Sequence, residues 1–345
     1  MVDSRGRTQR VTIADIASRA GVTSSAVSLA VNGKPGVSDA TRDRVLQIAR
    51  ELAWRPNHAA RTLRGVSTHA VGLALTRPER VIEQEAFFAR FITGAQAALS
   101  RQHFSLQLQM APDLASESTI HAEWVAANSV DGIIVLDPRS HDPRVEQLER
   151  LGHPAVIVGG EWNSATIASI RPDDAEFMRT ILRHLTSLGH RRIGYVTGEQ
   201  SFLHIRTRID AFNGFMVDAG VWGAVLAGNF TPERAVDATD RLMASPSRPT
   251  AVVYDSELMA IAGMGALSTA GLGVPSDVSV VSWEDSLVCQ VLRPSLTTLD
   301  RDAVSLGKRS AAALLSLIGG EPVDQPTTTA SVIHRDSTAA VSDAP

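Results

Sequence analysis

Ser24, Ser25, Ser28 and Leu29 crowd the start of one short helical stretch, and their chemistry is that of reading a surface. Hydroxyls at helical spacing can donate to and accept from base edges, and a leucine among them offers apolar contact to a thymine methyl. Patterns for catalysis do not assemble. His334-Arg335-Asp336 has the letters of a kinase catalytic loop, yet no phosphate-binding glycine loop precedes it. Gly263-x-Gly265 and Gly271-x-Gly273 lack the third glycine and do not open a helix after a strand, which argues against a dinucleotide site. The ten histidines do not cluster at metal spacing, and Cys289, the only cysteine, allows neither an intrachain disulfide nor a cysteine-based zinc site. The expectation is a chain with no catalytic residue, no metal and no cofactor.

Three elements must position that reading edge. Thr12 followed by Asp15 fits a capping box, and Ile13, Ile16, Ala17 and Ala20 recur at helical spacing until Gly21 breaks the run. Thr23 can cap a second helix with Val27, Ala30 and Val31 on its buried side, ending at Asn32 and Gly33. A third helix opens at Ser38 and offers Val45, Ile48, Ala49 and Leu52 to a small shared core before Pro56. Two short helices joined by a glycine turn form a helix-turn-helix, a unit that places the N-terminal side chains of its second helix in a major groove. The same geometry also serves as a plain structural hairpin.

Charge favours the first use. Residues 1–65 carry 11 Lys and Arg against 5 acids, whereas the remainder carries 22 against 32, so a net charge of −4 hides a basic head on an acidic body. That asymmetry suits a polyanion partner for the head alone. With 44% hydrophobic and 20% charged residues over 345 positions, the composition is that of a globular protein with room for a small module and a larger body. No apolar run approaches the roughly 18 residues of a membrane span, and the first ten residues lead into no apolar signal core. A cytoplasmic protein without a membrane partner is expected.

The string VTIADIASRAGVTSSAVSLAVNG (Val11 to Gly33), continued by VSDATRDRVLQIARELAWRPNHAARTLR to Arg64, closely resembles the head of the LacI (lactose repressor-like) family. The resemblance implies DNA contacts from Ser24, Ser25, Ser28 and Leu29, with Thr12, Thr23 and Asn32 at flanking positions. It also implies a hinge over Asn57 to Leu63 in which Asn57, His58, Ala60 and Arg61 accompany a leucine wedge, Leu63, into the minor groove of double-stranded operator DNA. As a sequence, the hinge is helix-capable but too short to be helical alone, and it puts a cation beside an apolar tip; a linker leucine packing on the body would look the same. One departure stands out: the family pattern T-V-S-R-V-L-N reads AVSLAVN here, so Leu29 replaces an arginine able to fork onto guanine.

Beyond the head, apolar runs alternate with helical stretches. Ala70 to Leu75, Ser105 to Gln109, Gly132 to Leu136 and Ala155 to Val158 are separated by Phe87 to Leu99 and Ile120 to Asn128. The series then restarts with Arg192 to Thr197, Arg208 to Ala219, Ala251 to Tyr254, Leu258 to Ala270 and Val278 to Trp283. This predicts an α/β body of parallel doubly wound sheets in two lobes, with a ligand cleft beyond the carboxyl ends of the strands. LGHRRIGYVTG (188–198), PTAVVYDSELMA (249–260), GLGVPSDVSVVSWEDS (271–286) and PSLTTLDR (294–301) resemble the body landmarks of the same family, whose body is periplasmic-binding-protein-like. On that likeness the chain divides into a head (1–56), a hinge and linker (57–68), an N-terminal effector lobe (69–168 with 299–326) and a C-terminal effector lobe (169–298 with 327–340).

The likeness further implies effector contacts from Arg208, whose fork suits paired hydroxyls or a carboxylate, from the aromatic Phe87, Phe88 and Phe230, and from Asp137, Glu257, Trp283 and Glu284. A surface arginine and stray core aromatics are the plainer alternatives. Ser256-Glu257 stands where the family often has N-D, and Ser282-Trp283-Glu284-Asp285 where it has G-[FYW]-D-D, which changes the ligand that fits. The function so implied is a DNA-binding transcriptional regulator, a repressor acting as a homodimer on a pseudo-palindromic operator and controlled by a small-molecule effector, most simply a sugar. A transporter's solute-binding protein would lack the basic head, and a doubly wound enzyme such as a sugar kinase would need a phosphate loop.

Overall fold

A computed structural model describes residues 11–31, 33–52, 54, 67–77, 79–162, 164–323 and 330–341. It divides into two units, Met1–Val66 and Ser67–Pro345.

The first unit is three helices: α1 (Ile13–Ala20), α2 (Ser24–Val31) and α3 (Asp39–Glu51). Thr12 closes the capping box: its amide donates to the Asp15 carboxylate at 2.7 Å, and its hydroxyl accepts from the Asp15 amide. Gly21, at φ 64°, ends α1 in the left-handed conformation that glycine adopts without penalty. Ile16, Ala17, Ala20, Val27, Ala30, Val45 and Ala49 form the core. Ile13, expected inside, is instead 36% exposed, because the face set by Ile16 and Ala20 leaves it one turn edge outward.

The second unit holds two sheets. The first, in order β2-β1-β3-β4-β5, is built from β1 (Ala70–Leu75), β2 (Ser105–Met110), β3 (Gly132–Leu136), β4 (Ala155–Val158) and β5 (Ile167–Ile170), all parallel. The second, in order β11-β10-β9-β8-β6-β7, comprises β6 (Arg192–Thr197), β7 (Trp222–Ala227), β8 (Ala251–Tyr254), β9 (Ser279–Ser282), β10 (Thr297–Asp300) and β11 (Ser331–Ile333). Only the edge strand β11 runs antiparallel among its described pairings. Central strands such as β3 and β8 are buried along their whole length, as strands covered on both faces must be.

Helices cover both sheets: α4 (Glu79–Gln84), α5 (Ala86–Arg101), α6 (Leu114–Ala126), α7 (Pro143–Arg150), α8 (Asp174–Ser187), α9 (Leu203–Ala219), α10 (Pro232–Met243), α11 (Glu257–Thr269), α12 (Leu287–Val291) and α13 (Ala303–Gly319). The chain passes from the first sheet to the second after β5, returns after β10 to lay α13 over β3, β4, β5 and α5, and crosses again to end in β11. Glycine permits the α5–α13 contact. A Cβ on Gly94 would collide with the backbone oxygen of Val304, and one on Gly307 with that of Phe91. None of the described helices is long and apolar enough to cross a membrane.

Candidate functional site: a reading helix and a cleft between two sheets

In the first unit, the Thr23 hydroxyl accepts the Ala26 amide at 3.2 Å and so starts α2. Ser24 and Ser25 follow it as exposed side chains, while Ser28 and Leu29 are half-buried. The Leu29 tip leans over Gly36, where an added Cβ would sit 3.1 Å from it. Leu29 therefore divides its surface between the local fold and anything α2 docks against. Thr12 is exposed, with its oxygen engaged in the cap. Arg19, Lys34, Arg44 and Arg50 add exposed cations around this helix. Asn32, Asn57, His58, Ala60, Arg61 and Leu63 lie outside the described residues.

In the second unit, the carboxyl ends of β1, β3, β4, β8 and β9 converge on a cavity of about 50 Å³. It adjoins an open groove of about 950 Å³ along Gly159, Pro172, Asp174 and His204. Phe87, Phe88, Asp137, Arg208, Phe230 and Glu284 line the cavity. Two expected contacts do not. Trp283 is fully buried behind the wall and serves as a platform, with the Arg208 guanidinium 3.8 Å above its ring. Glu257 is drawn away because Ser256 caps α11, which leaves Glu257 in the first turn to accept the Ala86 amide at 2.9 Å.

Arg208 is 2% exposed, so it is no surface arginine. Its Nε donates to Asp174 at 2.8 Å and its Nη1 to Asp255 at 2.9 Å. Asp255 also accepts from the Tyr195 hydroxyl at 2.8 Å and the Gly198 amide at 2.7 Å. Burial opposes the charge on Arg208, but Asp174 and Asp255 outweigh it and hold the group protonated beyond the usual arginine range. Burial likewise opposes the Asp137 carboxylate, yet Arg77, donating at 2.9 Å, helps keep it below the ordinary range. Burial drives His204, on the cavity wall, down to about 3, so its ring is neutral.

Arg77 spans the cleft. From the end of β1 it reaches the rings of Phe202 and Phe230, 4.5 and 4.4 Å from their centroids. Asp137 and Phe230 adopt left-handed backbone, at φ 52° and 58°, a conformation that costs a side-chain-bearing residue about 1 kcal/mol. Gly198 makes room for Phe230, whose ring would collide with a Cβ there.

Arg77, Glu85, Asp174, His204, Asp255 and Arg301 also line the cavity, and the sequence patterns do not single them out as contacts. Asp255 and Arg77 follow the carboxyl ends of β8 and β1, so the strand-end rule alone could have found them. Glu85 carried no signal.

Residues 12–57 match the family described as bacterial regulatory proteins, lacI family, and residues 182–338 match the periplasmic binding protein-like domain. A LacI family transcriptional regulator from Bifidobacterium animalis subsp. lactis has a solved structure 31% identical to this chain, covering 80% of it and all of the other, with a TM-score of 0.72. The structure of a transcriptional regulator CelR-cellobiose complex is 27% identical over 95% of this chain and all of the other, at a TM-score of 0.73. The lac repressor dimer bound to operator and the anti-inducer ONPF is 26% identical over 96% of this chain and all of the other, at 0.83. Each is named as a transcriptional regulator or repressor. With its helix-turn-helix unit and its two-sheet body, this chain belongs to the LacI family of DNA-binding transcriptional regulators.

Proposed function

We propose that the protein is a cytoplasmic repressor that binds a pseudo-palindromic double-stranded operator as a homodimer and is controlled by a sugar bound between its lobes. The observation that carries this reading is the cavity at the strand ends, where aromatic faces and hydrogen-bonding side chains from both sheets meet. CelR, in complex with cellobiose, and the lac repressor, a dimer on its operator, support the two halves of the reading. Self-association is further supported by apolar side chains left in solvent: Leu287, Val288 and Val291 on α12, and Leu108 and Met110 on the edge strand β2. A dimer spaces two heads for two half-sites.

The lobes are taken as 69–168 with 299–326 and 169–298 with 327–340, joined to the head (1–56) by the hinge (57–68). Effector binding changes the angle between lobes by its differential affinity for two states, and so alters the pairing of the hinges. The test is a gel shift with operator recovered by selection from random duplexes, at two salt concentrations and with a panel of neutral sugars. A regulator loses DNA steeply as salt rises and changes its retention with one sugar. Failure of selection to enrich any duplex would overturn the reading. Leu63→Ala is expected to weaken operator binding far more than binding to random DNA; equal losses would remove the wedge.

A further inference from the structure

We propose that the effector carries a protonated amine, which Glu85 receives inside the cavity between the lobes. This rests on the reading of that cavity as the effector site and narrows the class of ligand it takes. The cavity's three guanidinium groups already hold carboxylates: Arg77 pairs with Asp137, Arg208 with Asp174 and Asp255, and Arg301 with Glu284. An acidic effector therefore meets arginines whose charge is already balanced, and the neutral His204 adds no charge.

Five carboxylates line the cavity, and Glu85 is the one that pairs with no arginine among the described residues. It is 5% exposed, and Oε1 has no hydrogen-bond partner among the described residues. Although Glu85 sits at the N-cap of α5, its side chain caps nothing. Beside it, Oε2 of the buried Glu257 is likewise without a partner among the described residues. Buried acceptors in this state call for a donor. An ammonium supplies three donors and a compensating charge, whereas a hydroxyl supplies one donor and none. The aromatic walls already accept a cation, since Arg77 lies against Phe230 and Phe202.

Charged groups face Glu85 from four directions: Arg77 after β1, Asp137 after β3, Glu257 on α11 and Glu284 after β9. Burial first, and then the three carboxylates, raise its pKa to about 8 against the single opposing arginine. At pH 7 the empty site thus holds Glu85 protonated, and an arriving ammonium displaces that proton to solvent.

The experiment titrates the full-length protein by calorimetry with glucosamine, galactosamine and the chitosan disaccharide. Glucose, galactose and cellobiose are run beside them, as are glucuronate and galacturonate. Within a matched set the amine is expected to bind about tenfold tighter than the neutral sugar, as suits a charge-assisted contact in a buried site. Its heat should differ between phosphate and Tris buffers in the sense of proton release at pH 7. Glu85→Gln should reduce the advantage to about twofold or less. Neutral sugars binding as well as their amines, or acids binding best, would overturn the amine assignment while leaving the sugar reading in place. Absence of binding by all three classes would overturn both. Should Glu85→Gln fail to fold, the buffer dependence of the wild-type heat still decides.

Discussion

Beside each sheet one arginine is buried between two carboxylates, and the two differ in how fully their nitrogens are committed. Beside the first sheet Arg144, 3% exposed, gives Nε to Asp142, Nη1 to Glu117, and Nη2 to Asp142 and the Asp137 carbonyl, so all three nitrogens are committed. It does not line the cavity, though it holds the backbone of Asp137, which does. Beside the second sheet Arg208 commits Nε and Nη1 and lines the cavity. A saturated guanidinium fixes loops, and one with a nitrogen to spare can bind. Burial therefore distinguishes neither role; the count of satisfied donors does.

The largest effect should come from breaking the saturated member. Arg144→Ala leaves Glu117 and Asp142 buried without their cation, and unfolding in urea should show a loss of about 3–5 kcal/mol. A loss under about 1 kcal/mol would show that water replaces the guanidinium and would dissolve the contrast. Arg208→Lys keeps a charge for Asp174 and Asp255 but removes the planar fork, so calorimetry should show effector affinity falling about 10- to 100-fold. Arg208→Ala is the poorer probe, because it strips two buried carboxylates and confuses binding with folding. Unchanged affinity in Arg208→Lys would place Arg208 with Arg144.

Glu85→Gln tests the unsatisfied extreme, and its effect should be smallest. With the native carboxyl raised to about 8 and the unfolded one near its ordinary 4.5, wild type loses stability as pH rises from 4.5 to 8. The glutamine variant avoids that loss. Its unfolding free energy should match wild type at pH 4 and exceed it on the order of 1 kcal/mol at pH 8, water in the cavity screening part of the penalty. No pH dependence in the difference would mean that Glu85 is already served by a donor.

How much of this was legible in the sequence follows from the range of the interactions. β1 and β6 were bounded to the residue, since each is an apolar run ended by a turn or a charge. β5 is not visible in the sequence, because a four-residue strand carries too little periodicity. β7 escaped as a half-exposed strand at the sheet edge, and β11 as a three-residue one. The head was almost fully readable, its caps and stripe being local; only Ile13 turned outward. Within the cavity, Arg208 and the aromatic residues could be named through family likeness. The pairings that define their state join residues far apart, as in Arg77 with Asp137 or Tyr195 with Asp255, and pattern along the chain does not encode them. Nor does it announce left-handed backbone at Asp137 and Phe230.

The bare backbones at Gly94 and Gly307 bear on the cleft from a distance. α5 begins at the cavity with Phe87 and Phe88, and α13 follows directly after Arg301, so the two helices carry part of one wall. Their closeness makes that wall a single block braced against the first sheet. Two absent methyl groups thereby set how closely the helices behind that wall approach, and adding either would force apart the segments that carry Phe87, Phe88 and Leu306.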